Sequence, residues 1–279
     1  MFRRPGAIER KSLEQLVKMR AAGLVVSDAL QACTAAVRPG VTTAELDQVA
    51  ADVIGAAGAE PSFLGYFGFP AVICVSVNDE VVHGIPGDRE LVAGDLVSID
   101  CGAIVSGWHG DAAVTVPVGE VAEELTALSE ATRESLWEGI CAAAVGGRLS
   151  NVGAAVEGSI REAGNEYGIL RDYVGHGIGS QMHMAPSVAN FGPPGKGPRL
   201  KSGMAIAIEP MVTLGSPEVS VLSDEWTVAT DAGNPAAHWE HTIALTDRGP
   251  WVLTAPDGGA AELARRGIAS PAQEWDGLR

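Results

Sequence analysis

The order helix, helix, short strands is written twice in this chain of 279 residues, and both copies deliver an acidic residue at the end of an apolar strand. The segments RPGVTTAELDQVAADVIGAAG (38–58) and GGRLSNVGAAVEGSIREAG (146–164) each run from a turn through a Thr or Ser cap into an Ala/Val-rich amphipathic helix closed by Ala-Gly. Each is followed by a His-Gly-Ile, at His83-Gly84-Ile85 and at His176-Gly177-Ile178. Each half then ends an apolar run on a carboxylate, Asp100 in LVSIDCG and Glu209 in MAIAIEP. Several likenesses in the same order imply an internal pseudo-repeat, roughly 8–120 and 121–255, whose halves would face each other across a shared cleft. The expected class is α+β in one domain, 1–279, with a weakly held tail at 257–279.

The local signals fill in this outline. Apolar residues at helical spacing cover 8–37 and stop at Arg38-Pro39-Gly40. Thr42 or Thr43 caps a second helix to about Gly58, with Glu45 placed as the capping-box partner of Thr42. Ala71–Val77, Leu91–Cys101 and Ala112–Val118 read as strands, Val121–Ala144 and Asn151–Ala163 as helices. Further strands are expected at Met204–Ile208, Val219–Leu222, Glu240–Leu245 and Trp251–Thr254.

Composition closes off other classes. With 19 Lys and Arg against 35 Asp and Glu the chain is strongly acidic, which argues against direct binding of DNA or RNA. No apolar run reaches the roughly 18 residues of a membrane span, and the opening MFRRPGAIERKSLEQL lacks an apolar leader stretch. A soluble cytoplasmic protein is the expectation. Cys33, Cys74, Cys101 and Cys141 form no CxxC pair, so a zinc ribbon or secreted disulfide scaffold is not indicated. Without a long heptad run, a monomer is the default.

The chemistry is carried by acids in strand-like surroundings: Asp100, Asp111 in WHGDAAVTV, Glu209 and Glu240 in HWEHTIAL. Two carboxylates about 4 Å apart repel by roughly 4 kcal/mol even at an effective dielectric near 20, so bringing several together requires cations or protons. Residues 91–120 and 203–246 contain no Lys or Arg to serve. Divalent metal is the natural partner, and an oxygen-rich set with one imidazole suits Mn, Fe or Co as well as Zn. Of the histidines, His176 and His183 lie in a Gly-rich loop region and His83 follows a strand, whereas His109, His238 and His241 flank the acids and read as supporting or solvated.

His83, the pair Asp100 and Asp111 with ten residues between them, GHGIG with His176, MHMAP with His183, GMAIAIEPM with Glu209 and WEHTIALT with Glu240 together resemble the type I methionine aminopeptidases, of the pita-bread fold. The resemblance extends over about residues 8–255. It implies two divalent ions held by Asp100, Asp111, His176, Glu209 and Glu240, with Asp111 and Glu240 bridging. Glu209 would also shuttle the proton, while His83 and His183 would hydrogen-bond the scissile peptide. The implied side-chain pocket is Phe63, Tyr66, Phe69, Cys74, Met182 and Trp226, an apolar set suited to a thioether. The implied function is removal of the initiator methionine from nascent chains with a small second residue.

Two positions depart from the family pattern. Gly102 stands where many relatives carry Thr, so Asp100-Cys101-Gly102 looks like the Asp-x-Gly of the proline-directed peptidases, and Met184-Ala185 stand where many carry Glu-Glu. A proline-directed peptidase is therefore the alternative enzyme within the fold, and a non-enzymatic pita-bread protein that binds partners with a dead site is the alternative from another class. Arg3, Arg4, Arg10, Lys11, Lys18 and Arg20, six of the 19 basic residues, suggest a weak ribosome contact at the N-terminus.

Overall fold

The computed structural model describes residues 8–164, 166–275 and 277. Ser12 opens the first helix, α1 (Leu13–Ala36): its Oγ accepts the Gln15 amide, and the Gln15 side chain accepts the Ser12 amide in return. Thr42 and Glu45 make the same reciprocal cap on α2 (Thr43–Ala56). Each cap satisfies two amides that the first turn would otherwise leave without partners. The inward faces of the two helices, with Val26, Leu30, Leu46 and Ile54, pack on Val75, Val97 and Ile99 of the sheet. Fully burying a side chain of this size contributes about 1.5–3 kcal/mol.

A second pair of helices, α3 (Glu123–Ala142) and α4 (Ser150–Ala163), packs in the same manner. Leu136, Ile140, Val156 and Ile160 meet Ile206, Ile208, Ile243 and Leu245 in a separate core. Both helix pairs therefore cover strands of one sheet.

Among the described residues that sheet has nine strands. Its path runs Glu60–Pro61, Leu96–Val105, Trp108–Pro117, Glu240–Thr246, Ala205–Ile208, Gly175–Gly177, Met184–Val188, with Ile73–Val77 paired to Leu96–Val105 and Gly249–Val252 paired to Glu240–Thr246. All of these pairings are antiparallel. Asp100 lies opposite Ala113, and Ala113 lies opposite Glu240. Because side chains alternate along a strand, Asp111 shares the face of Ala113 and hence that of Asp100 and Glu240. His241 pairs with Ile208, which brings Glu209 beside Glu240, and Gly177 pairs with Ile206, which brings His176 alongside. The register alone gathers five potential ligands at the middle of the sheet.

The strand at His176 differs from the Gly-rich loop that the sequence suggests. Gly175–Gly177 is squeezed between two neighbours: a Cβ at 175 would lie 2.4 Å from the Ala207 carbonyl oxygen, and one at 177 would lie 2.2 Å from that of Ala185. Glycine is required there by strand packing. The C-terminal segment also differs from a loose tail. Helices at Ala260–Arg265 and Ala272–Trp275 bury Leu263 and Ala272, Arg266 pairs with Glu134 and Glu138, and Trp275 stacks edge-on to Trp251. No helix among the described residues is long and apolar enough to cross a membrane.

Candidate metal centre and active site

Asp111, His176 and Glu240 are buried, and their ligand atoms lie within 4.8 Å of one another. His176 Nε2 is 3.5 Å from Glu209 Oε1 and 3.9 Å from Asp111 Oδ2. Its Nδ1 lies 3.0 Å from the Gly177 carbonyl oxygen, which can only accept, so Nδ1 carries the proton. The Nε2 lone pair therefore points at carboxylates. Burial, reinforced by His183, pushes the His176 pKa down to about 3, so the imidazole cannot answer them by taking a proton.

The carboxylates show the complementary strain. Burial raises Asp100 to about 7, offset in part by hydrogen bonding to Asp111 and to the Cys101 amide. Burial also raises Asp111, with Glu240 and Asp100 adding repulsion; Glu209 is raised by burial and by Asp100 and Asp111, and Glu240 by burial, Glu209 and Asp100. Asp100 Oδ1, Asp111 Oδ1 and Glu240 Oε1 are buried without a hydrogen-bond partner. Orphaned acceptors facing a lone pair make an incomplete set, because each buried unpartnered group costs about 1–3 kcal/mol or more when charged. A divalent cation completes it, and the mixture of hard oxygens with one nitrogen fits such an ion.

Neighbouring groups hold this cluster in place. Thr242 Oγ1 accepts the Asp111 amide at 3.1 Å and donates to the Asp111 carbonyl at 2.8 Å, while Asn190 Nδ2 donates to the Glu209 carbonyl at 3.0 Å. These contacts fix the main chain, leaving the carboxylates to face inward.

All thirteen residues that the sequence singled out line one cavity of about 140 Å³. Asp100, Asp111, His176, Glu209 and Glu240 form one wall; Phe63, Phe69, Cys74 and Met182, all buried, form the apolar end with Tyr66 and Trp226 packed on them. Phe69 and Trp226 meet edge-on with centroids 5.1 Å apart. His83 and His183 stand near the mouth. His183 is exposed, its Nδ1 2.9 Å from the Tyr66 hydroxyl and its ring 4.3 Å from that of His176. His83 has a φ of 62°, a left-handed conformation that a bulky residue adopts only when its surroundings enforce it. Burial, then His183, lowers the His83 pKa to about 4, so both histidines near the mouth favour their neutral forms.

Two residues near the cavity, Tyr173 and Thr242, are not marked by the sequence, and His238, expected to be supporting or solvated, takes a supporting place. His238 is neither solvated nor on the surface: it is 2% exposed, with an unpartnered Nε2 3.9 Å from Glu209 Oε2. Its place two residues before Glu240 on an extended segment is the signal that could have found it. Tyr173 stacks edge-on to His83 at 5.8 Å, and Thr242 acts as described above; neither stands out by residue type. His109 and His241 take supporting positions, His109 hydrogen-bonded to Ser62 and His241 to Thr254.

Residues 17–247 match the metallopeptidase family M24. The chain is 55% identical over 252 residues to methionine aminopeptidase 1 of Mycobacterium tuberculosis, covering 88% of this chain and 95% of that one. The crystal structure of methionine aminopeptidase from Thermotoga maritima superposes with a TM-score of 0.86 at 40% identity, covering 88% of this chain and 99% of that one. The prolidase from Pyrococcus furiosus matches with a TM-score of 0.71 at 23% identity, over 88% of this chain and 65% of its own, a likeness of fold alone. The architecture is the pita-bread fold, and use of divalent metal follows from the family and the buried donor set. The chain belongs to metallopeptidase family M24 and, within it, to the type I methionine aminopeptidases.

Proposed function

We propose that this chain removes N-terminal methionine from nascent proteins and peptides whose second residue is small. The observation that carries the reading is one cavity in which a buried donor set short of a cation adjoins an apolar pocket. Asp100, Asp111, His176, Glu209 and Glu240 would hold two divalent ions; Co, Mn, Fe and Zn all suit the donors. When bound, such ions supply Lewis acidity, an anchor for the free α-amine and a water that is nucleophilic at neutral pH.

The side chains account for the rest. Phe63, Phe69, Cys74 and Met182 hold the methionine side chain, and Tyr66 and Trp226 close over it. Glu209 would take the proton of the attacking water and return it to the leaving nitrogen. Neutral His183 and His83 orient the scissile amide and donate hydrogen bonds to the oxygen that gains charge. Tyr66 steadies His183 through the 2.9 Å hydrogen bond.

The two halves, roughly 8–120 and 121–255, are read as related units of one catalytic domain. A cytoplasmic monomer acting on emerging chains is the accompanying reading. Ribosome contact through the N-terminal basic residues has less to rest on: Lys11 and Arg20 are buried, Lys18 pairs with Glu14, and Arg3 and Arg4 lie outside the described residues. The testing experiment is methionine release from Met-Ala-Ser by metal-loaded protein. Loss of turnover on chelation and in Glu209→Gln is expected, whereas turnover unaffected by either contradicts the assignment.

A further inference from the structure

Phe67 is the most exposed of the large hydrophobic residues described, at 86%. It is also backbone-strained, with φ 47° and ψ 24° in the turn Tyr66–Gly68. Neither property serves folding. An aromatic ring left in water forgoes the burial that would stabilise it, and a left-handed conformation is disfavoured for a residue with a ring on its Cβ. The loop nevertheless fixes this conformation. Tyr66 N donates to Phe63 O at 2.9 Å, Gly68 N to Gly65 O at 3.1 Å, Phe69 N to Tyr66 O at 3.0 Å and Gly65 N to Phe69 O at 2.8 Å. Four backbone hydrogen bonds within seven residues leave the ring presented on a closed turn.

The position of that ring relates it to the cavity. Phe67 meets Tyr66 edge-on with centroids 4.7 Å apart, and Tyr66 lines the cavity with its hydroxyl on His183. A peptide whose first side chain fills the apolar end and whose scissile amide faces the metal wall has to leave past the exposed His183 and Tyr66.

We propose that Phe67 forms a subsite for the third residue of the substrate, preferring an apolar side chain there. This inference rests on the proposed aminopeptidase reading and adds a selectivity to it. The ring acts by contact with bound substrate, so it affects capture and leaves the chemical step unchanged.

The test compares kcat and KM for Met-Ala-Leu and Met-Ala-Asp with the metal-loaded wild-type enzyme and with Phe67→Asn, a residue that tolerates the left-handed conformation. Wild type should favour Leu over Asp by about two- to tenfold in kcat/KM, the scale of one aromatic contact. Phe67→Asn should erase that preference through KM, with kcat unchanged and a melting temperature equal to or above wild type. Phe67→Tyr, which keeps the ring, should retain the preference. Equal use of both peptides by wild type, or an undiminished preference in Phe67→Asn, overturns the subsite alone. Failure of the wild type to cut either peptide overturns the aminopeptidase reading and the subsite together.

Discussion

Gly102 lies against Phe63: a Cβ added at 102 would stand 2.8 Å from the Phe63 ring at Cε1 and 2.8 Å from Ser62 Cβ. Gly102 pairs with Asp111 in the sheet, so the residue beside the metal wall is kept small by the wall of the apolar pocket. A side chain at this position would have to displace Phe63 or Ser62. Gly102→Ala should therefore push Phe63 into the pocket and raise KM for Met-Ala-Ser about tenfold, on the scale of a misfit in a hydrophobic site. A double-mutant cycle of Gly102→Ala with Phe63→Leu measures the coupling between the two positions.

Asp111 faces both His176 and Glu240, and its own main chain is held by Thr242. Asp111→Ala should abolish metal binding and turnover together while leaving the fold intact. In the native protein, metal at a hundredfold excess over Kd should add roughly 2.7 kcal/mol of stability. Thermal melts with and without chelator check both statements; an alanine variant that still bound two ions tightly would remove the bridging role.

Metal uptake should release protons below neutral pH. The Asp100 carboxyl sits at about 7 in the metal-free protein, well above its ordinary range, so it carries a proton at pH 6 that a cation must displace. The sign for stability follows: the folded protein holds this proton more tightly than the unfolded chain. Its stabilising effect is full below the ordinary carboxylate range and disappears as pH rises through about 7. Calorimetric titration at pH 6 in buffers of different ionisation heat should show proton release, with affinity falling as the pH is lowered from 7. An enthalpy independent of buffer contradicts this.

Side-chain selectivity should follow the pocket's lack of a charge partner at its apolar end. Norleucine peptides should be cut at rates near those of methionine, because the pocket reads length and shape. Lysine or glutamate at the first position would bury an unpaired charge at a cost of several kcal/mol and should be refused. A panel of Xaa-Ala-Ser peptides measures the order directly.

Much of this architecture is legible in the sequence because its signals are local or periodic. The reciprocal Thr42–Glu45 cap appears as expected, and the helices expected at Val121–Ala144 and Asn151–Ala163 appear as Glu123–Ala142 and Ser150–Ala163. Acids embedded in apolar strands announced the metal wall, since that pattern is costly without a cation. The strand at Gly175–Gly177 was read as a loop because its glycines reflect crowding by Ala185 and Ala207, contacts made only in three dimensions. Short strands such as Tyr167–Ile169 and Val228–Thr230 carry too few residues for a period to show. His238 was set aside as supporting or solvated because its burial against Glu209 depends on the packing of strands distant in sequence. The last residues were read as a tail, although Leu263 and Arg266 are tied to α3 by contacts more than a hundred residues apart.

The most direct test of the central claim is turnover of Met-Ala-Ser against Ala-Pro-Ala by the same enzyme preparation, with Co, Mn, Fe and Zn supplied one at a time. The account predicts methionine release from the first peptide with at least one of these ions, none after chelation, and no cleavage of the second. Cleavage of Ala-Pro-Ala regardless of the first side chain, with Met-Ala-Ser left intact, would contradict it.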